Sequence, residues 1–270
     1  MFNQNDKIKN KKILIYGLGK SGISSFNFLK KKNDISLYDD NKKILINKKF
    51  KDKFISFNQI NKSKFDIIIL SPGIDIEKCK LKNFLKKNFK IIFTDLDVFN
   101  SFYSNKCITI TGTNGKSTTC KLLYEVLKKQ GFDVKLAGNI GFPILSTSKI
   151  RHNSIFVIEA SSYQLDYSKL FNSKYAVILN ISADHLERHK TLHNYVSAKF
   201  KLIKNQKKNS IAFVNKHDPN INKKIGKNNY DSKIIKVNTK LNKRYLKFFK
   251  NDYLLSSSNK QNLSFVLEIS

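Results

Sequence analysis

A glycine-rich turn between an apolar run and a helical run is the segment of this sequence with the clearest chemistry. It reads Cys107-Ile-Thr-Ile-Thr-Gly-Thr-Asn-Gly-Lys-Ser-Thr-Thr-Cys120. Backbone N–H groups of such a turn, aided by the positive end of the following helix, bind phosphate oxygens. Lys116 stands where a lysine reaches the terminal phosphates, and the hydroxyl of Ser117 stands where it would face Mg²⁺. The segment therefore predicts a nucleoside triphosphate site.

The match to the usual phosphate-loop pattern, G-x-x-x-x-G-K-[ST], is partial. That pattern needs its first glycine at position 110, and the sequence has Ile110 there and Gly112 two residues later. A generic ATPase is therefore not the best interpretation. The predicted nucleotide-binding residues are Gly112, Thr113, Asn114, Gly115, Lys116, Ser117 and Thr118.

Polar clusters also follow other apolar runs that are typical of strands. Glu159 follows Ile155 to Ile158, and the cluster Asn180 to His185 follows Tyr175 to Leu179. Carboxyl ends of parallel strands open onto one edge of a sheet, where α/β proteins bind ligands. Glu159 is the natural Mg²⁺ ligand among these residues, because that ion prefers hard oxygen donors.

A second glycine turn lies near the start of the chain. A buried strand is predicted at Lys12 to Tyr16, followed by Gly17-Leu-Gly-Lys-Ser-Gly22 and an amphipathic helix. The next strand ends in Asp39-Asp40, about 20 residues beyond the glycines, where nucleotide-binding folds place an acid against a sugar hydroxyl. The glycine pattern alone is weak evidence, and a strand-to-helix turn without a ligand is the alternative.

Alternating strands and helices predict an α/β fold with parallel sheets and two domains. Residues 1–102 are predicted to form a Rossmann-like domain, and residues 103–270 a P-loop-type ATPase domain whose C-terminal end is truncated. A short linker is predicted at Asn100 to Asn105. Helices are predicted at Lys116 to Lys129, at Leu192 to Ile203, and after Asn262 to the end of the chain. Further strands are predicted at Phe65 to Leu70, Lys90 to Phe93 and Ile211 to Val214.

The net charge of +31 invites a nucleic-acid interpretation, because a cationic surface attracts phosphate polymers. Lysine is, however, spread along the whole chain with Asn, Ile and Phe, whose codons are A/T-rich, so a biased genome explains the charge as well. No RNA-recognition signature is present, and no dedicated nucleic-acid binding is expected.

The apolar runs of the sequence are only as long as strands, and the three cysteines show no regular spacing. We therefore expect a cytoplasmic protein without a membrane segment or disulfides. A monomer is also expected, although the sequence does not fix the oligomeric state.

Taken together, these stretches resemble the Mur ligase family, ATP-dependent amide ligases that add amino acids to the UDP-muramoyl precursor of peptidoglycan. Five motifs in one order are far more specific than any of them alone. They are Thr111-Gly-Thr-Asn-Gly-Lys-Ser-Thr118, Gly138-Asn-Ile-Gly141, Glu159-x-Ser-Ser-x-Gln164, Asn180-x-x-x-Asp184-His185-Leu-Glu-Arg188-His189 and Ala198-Lys199.

The glycine turn Gly17 to Gly22, with Ser71-Pro-Gly-Ile74 and Asp95, resembles the D-glutamate-adding members of the family. The L-alanine-adding members, which have a different glycine turn, are the alternative. The resemblance implies that ATP activates the carboxylate of UDP-N-acetylmuramoyl-L-alanine as an acyl phosphate, which the amine of D-glutamate attacks. Such phosphoryl transfer depends mostly on positioning and charge neutralisation.

The resemblance also implies roles for individual residues. Lys116 would contact the β- and γ-phosphates, and Asn262 is placed among the ATP-binding residues. Ser117 and Glu159 would bind the first of two Mg²⁺ ions, and His185 the second. Lys199 would be carbamylated, which turns a cation into an oxygen ligand for metal. Without the resemblance, Lys199 would be interpreted as a surface lysine with a buried aliphatic stem.

The substrate contacts implied by the resemblance fall in two groups. Those for the UDP end are Lys20, Ser21, Asp39 and the backbone at Ser71, Pro72 and Gly73. Those for the muramoyl-alanine part are Asn139, Ser161, Gln164 and His185. The chain departs from its relatives in one place: they often have Asp-Thr-Arg where it has Asp39-Asp40-Asn41. A cationic contact is then either missing or supplied by Lys42 or Lys43.

Three alternatives stay open. We expect the family's third domain to be absent after Ser270, in which case the chain could bind nucleotide and precursor without turnover. An NAD-dependent oxidoreductase would explain Gly17 to Gly22 but would leave Lys116 and Glu159 without a purpose. Finally, three histidines recur at a four-residue spacing that would suit zinc on a single helix, although no cysteine or carboxylate has a matching spacing. They are His185, His189 and His193.

Overall fold

The computed structural model describes residues 8–41, 48–240 and 256–270; Lys42 and Lys43 lie outside these ranges. The chain divides into two compact units. The first comprises Met1–Ser104, Pro143–Ser146 and Tyr167–Phe171, and the second comprises Asn105–Phe142, Thr147–Asp166 and Asn172–Ser270. The assignment of residues 1–102 and 103–270 to two functional domains stays a prediction.

The first unit is built on a four-stranded parallel sheet of order β2-β1-β3-β4. All residues of β3 and all but the first residue of β1 are buried, as expected for strands of a parallel sheet. The elements are β1 (Lys12–Tyr16), α1 (Lys20–Leu29), β2 (Asp34–Tyr38), α2 (Phe57–Lys62), β3 (Ile67–Leu70), α3 (Lys82–Lys87), β4 (Ile92–Phe93) and α4 (Asp95–Phe102).

The second unit contains a six-stranded parallel sheet of order β10-β9-β8-β5-β7-β6. Its central strand β5 pairs with β7 on one side and β8 on the other, so the polar segments after these three strands are neighbours. The elements are β5 (Cys107–Thr111), α5 (Lys116–Lys129), β6 (Val134–Gly138), β7 (Ile155–Glu159), α6 (Ser162–Tyr167), β8 (Tyr175–Ile178), α7 (Leu186–His189), α8 (Leu192–Lys204), β9 (Ile211–Asn215), α9 (Pro219–Ile225), β10 (Lys233–Val237) and α10 (Ser257–Ile269).

Packing between β5 and α5 fixes the direction of the glycine turn that joins them. Ile108 and Ile110 of β5 share one apolar core with Leu123 and Leu127, which are one helical turn apart on α5. Full burial of each such side chain stabilises the fold by about 1.5–3 kcal/mol. The turn is therefore held between two well-anchored elements.

The prediction of an α/β fold with parallel sheets is confirmed. The predicted linker at Asn100 to Asn105 is wrong in its first residues: α4 extends to Phe102, because a capping box at Thr94 and Asp97 starts a stable helix there. Strand β6 is not predicted by the sequence pattern, since its run Val-Lys-Leu-Ala-Gly is short and interrupted by a lysine. Helix α10 begins at Ser257, earlier than predicted, so Asn262 lies inside it. In the described parts of the chain, no helix has the length and apolar character to cross a membrane.

The carboxylate of Asp97, which is 1% exposed, joins two segments of the first unit. Oδ2 accepts hydrogen bonds from the backbone and side chain of Thr94 at the start of α4, at 2.9 and 3.0 Å. Oδ1 accepts from the hydroxyl of Ser168 at 2.8 Å and from the backbone N–H groups of residues 169, 170 and 171 at 2.9, 2.7 and 3.0 Å. A buried carboxylate with this many donors anchors segment 168–171.

Replacing this carboxylate by an amide should weaken the fold. In Asp97→Asn one acceptor oxygen becomes an NH₂ donor that faces other donors, so we expect the free energy of unfolding to fall by about 3 kcal/mol. Urea unfolding followed by circular dichroism measures the change. Glu125→Gln, at an exposed position of α5, is the matched control and should leave the midpoint unchanged. Equal midpoints for the two variants would contradict the anchoring role.

Candidate functional site

The glycine turn after β5 is braced by Asn180, which follows β8. The backbone N–H of Thr113 donates to the carbonyl oxygen of Asn180 at 3.0 Å, and that of Asn114 donates to Asn180 Oδ1 at 2.9 Å. In return, Asn180 Nδ2 donates to the carbonyl oxygen of Asn114 at 3.1 Å. These three hydrogen bonds fix the position of the glycine turn relative to the end of β8.

Helix α10 reaches the same turn through Asn262. Gly115, just before α5, has a φ of +83°, and a Cβ atom built on it would lie 2.3 Å from Asn262 Oδ1. Asn262 is 4% exposed, and its Nδ2 donates to Asn259 Oδ1 at 3.1 Å. The predicted nucleotide-binding residue Asn262 is therefore brought to the turn, and the close approach requires glycine at position 115.

Two lysines converge on one carbonyl oxygen of the turn. Lys116 Nζ donates to the oxygen of Gly112 at 2.9 Å, and Lys199 Nζ, from α8, donates to the same oxygen at 2.8 Å. Lys116 Nζ also donates to the carbonyl oxygen of Thr113 at 2.7 Å. Among the residues that the structure describes, neither ammonium group has a carboxylate at ion-pair distance. The turn is thus strongly electropositive, which suits phosphate groups.

Burial changes the acidity of both lysines. Lys199 is 1% exposed, and burial, together with the positive charge of Lys116, lowers its pKa to about 7, while Asp184 opposes the change. Burial also lowers the pKa of Lys116, against the opposing effect of Glu159 and Asp184. The interpretation of Lys199 without the family resemblance, as a surface lysine with a buried aliphatic stem, would have been wrong, because α8 packs this face of the helix against the sheet.

Glu159 ends β7 beside the turn and is 2% exposed. Its Oε2 accepts a hydrogen bond from Ser117 Oγ at 2.7 Å, and its Oε1 accepts one from Asn139 Nδ2 at 2.9 Å. Gly138 permits this contact, because a Cβ there, at a φ of +105°, would lie 2.3 Å from the Glu159 carbonyl oxygen. The structure therefore brings the predicted residues Ser117, Asn139 and Glu159 together.

The donor atoms at this point fit a magnesium ion. Ser117 and Glu159 offer two hard oxygens 2.7 Å apart. Mg²⁺ commonly uses one or two protein oxygens and completes its coordination with water and phosphate oxygens. Across the described residues, no group of three or more His, Cys, Asp or Glu side chains is arranged to hold a metal ion. A site that relies on phosphate oxygens is consistent with that finding.

His185 lies on the other side of β5, after β8. It has a φ of +53°, and its imidazole is 3.4 Å from Asp184 and 3.6 Å from Glu187. His189 ends α7, where it pairs with Ser162 Oγ at 3.0 Å, and His193 lies on α8. The three histidines therefore do not share one helix, as the zinc alternative would require.

Ser161 and Gln164, predicted to contact substrate, bond to each other at the start of α6. The backbone N–H of Ser161 donates to Gln164 Oε1 at 3.2 Å, and that of Gln164 donates to Ser161 Oγ at 3.2 Å. This reciprocal pairing is a capping box. Gln164 is 2% exposed. Both residues thus stabilise α6 in this structure, and their substrate role stays a prediction.

Sequence reasoning missed Tyr195, which links the turn to Lys199. The Tyr195 hydroxyl is 3.2 Å from Thr113 Oγ1, and Lys199 Nζ lies 4.6 Å from the centre of the Tyr195 ring. The two residues are four apart on α8, so the spacing could have indicated a shared face. Asn180 was also missed as a bracing residue, although it stands in one of the quoted motifs.

In the first unit, a glycine turn contacts the segment that follows β3. Gly17 has a φ of +90°, and a Cβ on it would lie 2.7 Å from Ser71 Cβ; Ser71 Oγ donates to the Gly17 carbonyl oxygen at 2.6 Å. Asp39 Oδ2 accepts from the backbone N–H of Leu18 at 2.6 Å, and its Oδ1 from that of Asn41 at 2.8 Å. Asp39 thus braces the turn.

The other residues predicted to contact the UDP end differ in exposure. Lys20 and Gly73 are exposed, and Ser21 and Pro72 are half-buried.

Two family profiles match the sequence along most of its length. The Mur ligase middle domain matches residues 110–268, and the MurD-like N-terminal domain of Mur ligases matches residues 11–93. The chain belongs to the Mur ligase family. The earlier expectation, drawn from five motifs, is thereby confirmed.

Similar proteins agree with this membership. UDP-N-acetylmuramoylalanine--D-glutamate ligases of Rickettsia bellii and Rickettsia prowazekii are 39% and 41% identical to the chain over 217 residues, or 77% of its length. These alignments cover 46% and 47% of the relatives, so the chain spans about half their length. The crystal structure of the UDP-N-acetylmuramate:L-alanyl-gamma-D-glutamyl-meso-diaminopimelate ligase from Neisseria meningitides has the same fold, with a TM-score of 0.54 and 17% identity over 84% of this chain and 78% of that one.

Substitution of Gly115 tests the contact between α10 and the glycine turn after β5. In Gly115→Ala, positive φ and the clash with Asn262 act together, and we expect the free energy of unfolding to fall by about 3 kcal/mol. Gly131→Ala is the matched control: Gly131 has a φ of +87° but open space around it, so only the backbone strain of about 1 kcal/mol applies. Urea unfolding compares the two variants.

The double variant Gly115→Ala/Asn262→Ala identifies the clash. Removing the Asn262 amide should restore much of the stability that Gly115→Ala loses. If Gly115→Ala and Gly131→Ala were equally stable, α10 would not contact the loop as described.

Proposed function

We propose that this protein is an ATP-dependent ligase that adds D-glutamate to UDP-N-acetylmuramoyl-L-alanine. The observation that carries the proposal is the convergence of Lys116 and Lys199 on the Gly112 carbonyl, beside the Ser117–Glu159 pair. Membership of the Mur ligase family and the names of the Rickettsia relatives support the substrate assignment.

The glycine turn from Gly112 to Ser117, here called the phosphate loop, would position the γ-phosphate for transfer to the substrate carboxylate. Backbone N–H groups at Gly115 to Ser117 and the start of α5 would hold phosphate oxygens. Lys116 would exchange its bonds to the carbonyl oxygens of Gly112 and Thr113 for bonds to the β- and γ-phosphates, which carry full charges and bind an ammonium group more strongly. Negative charge spread over the transferring phosphoryl group would then be neutralised at the transition state.

Ser117 and Glu159 would hold Mg²⁺, whose role is to neutralise phosphate charge. Asn139 would orient the Glu159 carboxylate through its bond to Oε1, leaving Oε2 directed at Ser117. We propose His185 as a ligand of a second ion on the substrate side. Its side chain is 44% exposed and therefore accessible to a ligand.

Lys199 is proposed to carry a carboxyl group. Its uncharged amine would attack carbon dioxide, forming a C–N bond and releasing one proton, and the product is a carbamate with one negative charge. The location beside Lys116 favours this change, because the carbamate forms an opposite-charge pair with Lys116, whereas a protonated Lys199 would be a second cation. The carbamate would also add a hard oxygen donor near the loop.

The first unit would bind the UDP end of the precursor. The glycine turn, its brace Asp39 and the segment at Ser71 to Gly73 lie at the carboxyl ends of adjacent strands β1, β2 and β3, where parallel sheets bind ligands. The match of residues 11–93 to the MurD-like N-terminal domain favours D-glutamate over L-alanine as the amino acid that is added.

A second candidate function is nucleotide and precursor binding without turnover. It is favoured by one observation: the chain spans about half the length of its D-glutamate ligase relatives. Calorimetry with ATP and with the precursor, run beside a turnover assay on the same sample, separates the two candidates.

Phosphate release tests the ligase proposal. We expect the chain, alone or mixed with the C-terminal half of the Rickettsia prowazekii relative, to release phosphate only with ATP, UDP-N-acetylmuramoyl-L-alanine and D-glutamate together. Lys116→Ala should slow release roughly 100-fold. Lys121→Ala, at an exposed position of the same helix, is the matched control and should act like the unchanged chain. Binding of both ligands without release in either mixture would favour the second candidate; absence of ATP binding would overturn both.

Carbon-13 NMR in the presence of labelled carbon dioxide tests the carbamate. We expect one carbamate signal that disappears in Lys199→Arg and persists in Lys201→Arg, a half-buried lysine two residues away. A signal that survives in Lys199→Arg would assign the modification elsewhere, and no signal at saturating carbon dioxide would show that Lys199 is unmodified.

A further inference from the structure

A cavity of about 460 Å³ lies between α8 and α9, outside the phosphate loop. Three lysines of α9 and the turn after it line one side: Lys223, Lys224 and Lys227. His193, from the first turn of α8, also lines the cavity. The volume lies within the range of roughly 300–1,000 Å³ that small-molecule sites occupy.

Among the described residues, no aspartate or glutamate lines this cavity, so its positive charges have no acidic counterpart there. Lys224 Nζ donates to a neutral partner, Ser197 Oγ, at 3.0 Å. Lys223 and Lys227 are exposed, and in the described chain neither side chain makes a hydrogen bond or an ion pair. Like charges that line one cavity repel each other. An anion placed among the three ammonium groups would remove that repulsion.

The rest of the cavity is suited to an organic group. Leu192 and Val196, one turn apart on α8, form an apolar wall. The side-chain N–H groups of Asn220 and Asn228 are engaged by backbone oxygens at 2.9 and 2.8 Å, which fixes both amides. Each amide retains a carbonyl oxygen that can accept a hydrogen bond from a hydroxyl or an N–H group.

We propose that this cavity binds a small organic phosphate with at least two negative charges. Its phosphate groups would lie among Lys223, Lys224 and Lys227, and its organic part against Leu192 and Val196. The site is separate from the phosphate loop. Lys199, on the same helix α8, is buried and directed at Gly112, whereas His193 lies in the cavity.

The test uses fructose 1,6-bisphosphate as the organic probe and inorganic pyrophosphate as the purely inorganic one. The local readout is the imidazole NMR signal of His193, assigned with His193→Gln. We expect a saturable shift with fructose 1,6-bisphosphate, and weaker binding of pyrophosphate because it cannot use the apolar wall. Pyrophosphate that bound as tightly as the organic probe would overturn the organic part of the proposal.

Charge reversal separates this site from the general positive field of the chain. Lys223→Glu/Lys227→Glu should weaken fructose 1,6-bisphosphate binding by at least about tenfold, which corresponds to about 1.4 kcal/mol. Lys233→Glu/Lys236→Glu, at exposed positions of β10, changes the net charge equally and should have less than about a twofold effect. Circular dichroism checks that both variants fold. Equal weakening in both, or no His193 shift in the unchanged chain, would overturn the proposal and leave the ligase proposal unaffected.

Discussion

Two ammonium groups bonded to one carbonyl oxygen impose the main electrostatic constraint on the second unit. Lys116 and Lys199 come from different helices, and both donate a hydrogen bond to the carbonyl oxygen of Gly112. Burial and the charge of Lys116 lower the pKa of Lys199 to about 7, so near neutral pH the pair carries between one and two positive charges, which the carbonyl dipole only partly offsets. A polyanion is therefore stabilised there more than at the solvated lysines elsewhere. The central position of β5, the brace from Asn180 and the ring of Tyr195 all serve to hold these two groups in place.

The buried carboxylate of Glu159 complements this arrangement without neutralising it. Its two oxygens accept from Ser117 and Asn139, so it is satisfied by neutral donors and not by either lysine. Opposite charges are therefore kept apart at one sheet edge. Such separation costs free energy in the folded protein, and it is typical of sites that bind a ligand with charges of both kinds, such as a metal-bound phosphate.

The sequence predicted the elements around the phosphate loop well, because the information is local. Helix α5 begins at Lys116 and ends at Lys129, as its apolar spacing and the glycine after it indicate. Contacts that depend on strand order were harder to predict. Asn262 contacts Gly115 although the two residues are far apart in the sequence, so only the folded chain shows the contact. The burial of Lys199 likewise depends on the packing of α8 against the sheet. The location of Asp39 at the end of a strand was predicted, but its hydrogen bonds to the backbone N–H groups of Leu18 and Asn41 were not. An acidic side chain at a strand end can accept hydrogen bonds from a neighbouring turn as well as from a sugar hydroxyl.

The anchoring of segment 168–171 by Asp97 affects the order in which the protein can fold as it is synthesised. Both belong to the first unit, yet the sequence of β5, α5 and β7 is translated between them. On the ribosome, Asp97 leaves the exit tunnel long before its four later donors exist. The first unit can therefore complete its hydrogen bonds only after three of the six strands of the second unit's sheet have been made. During that interval, an unsatisfied carboxylate would keep the start of α4 in contact with water.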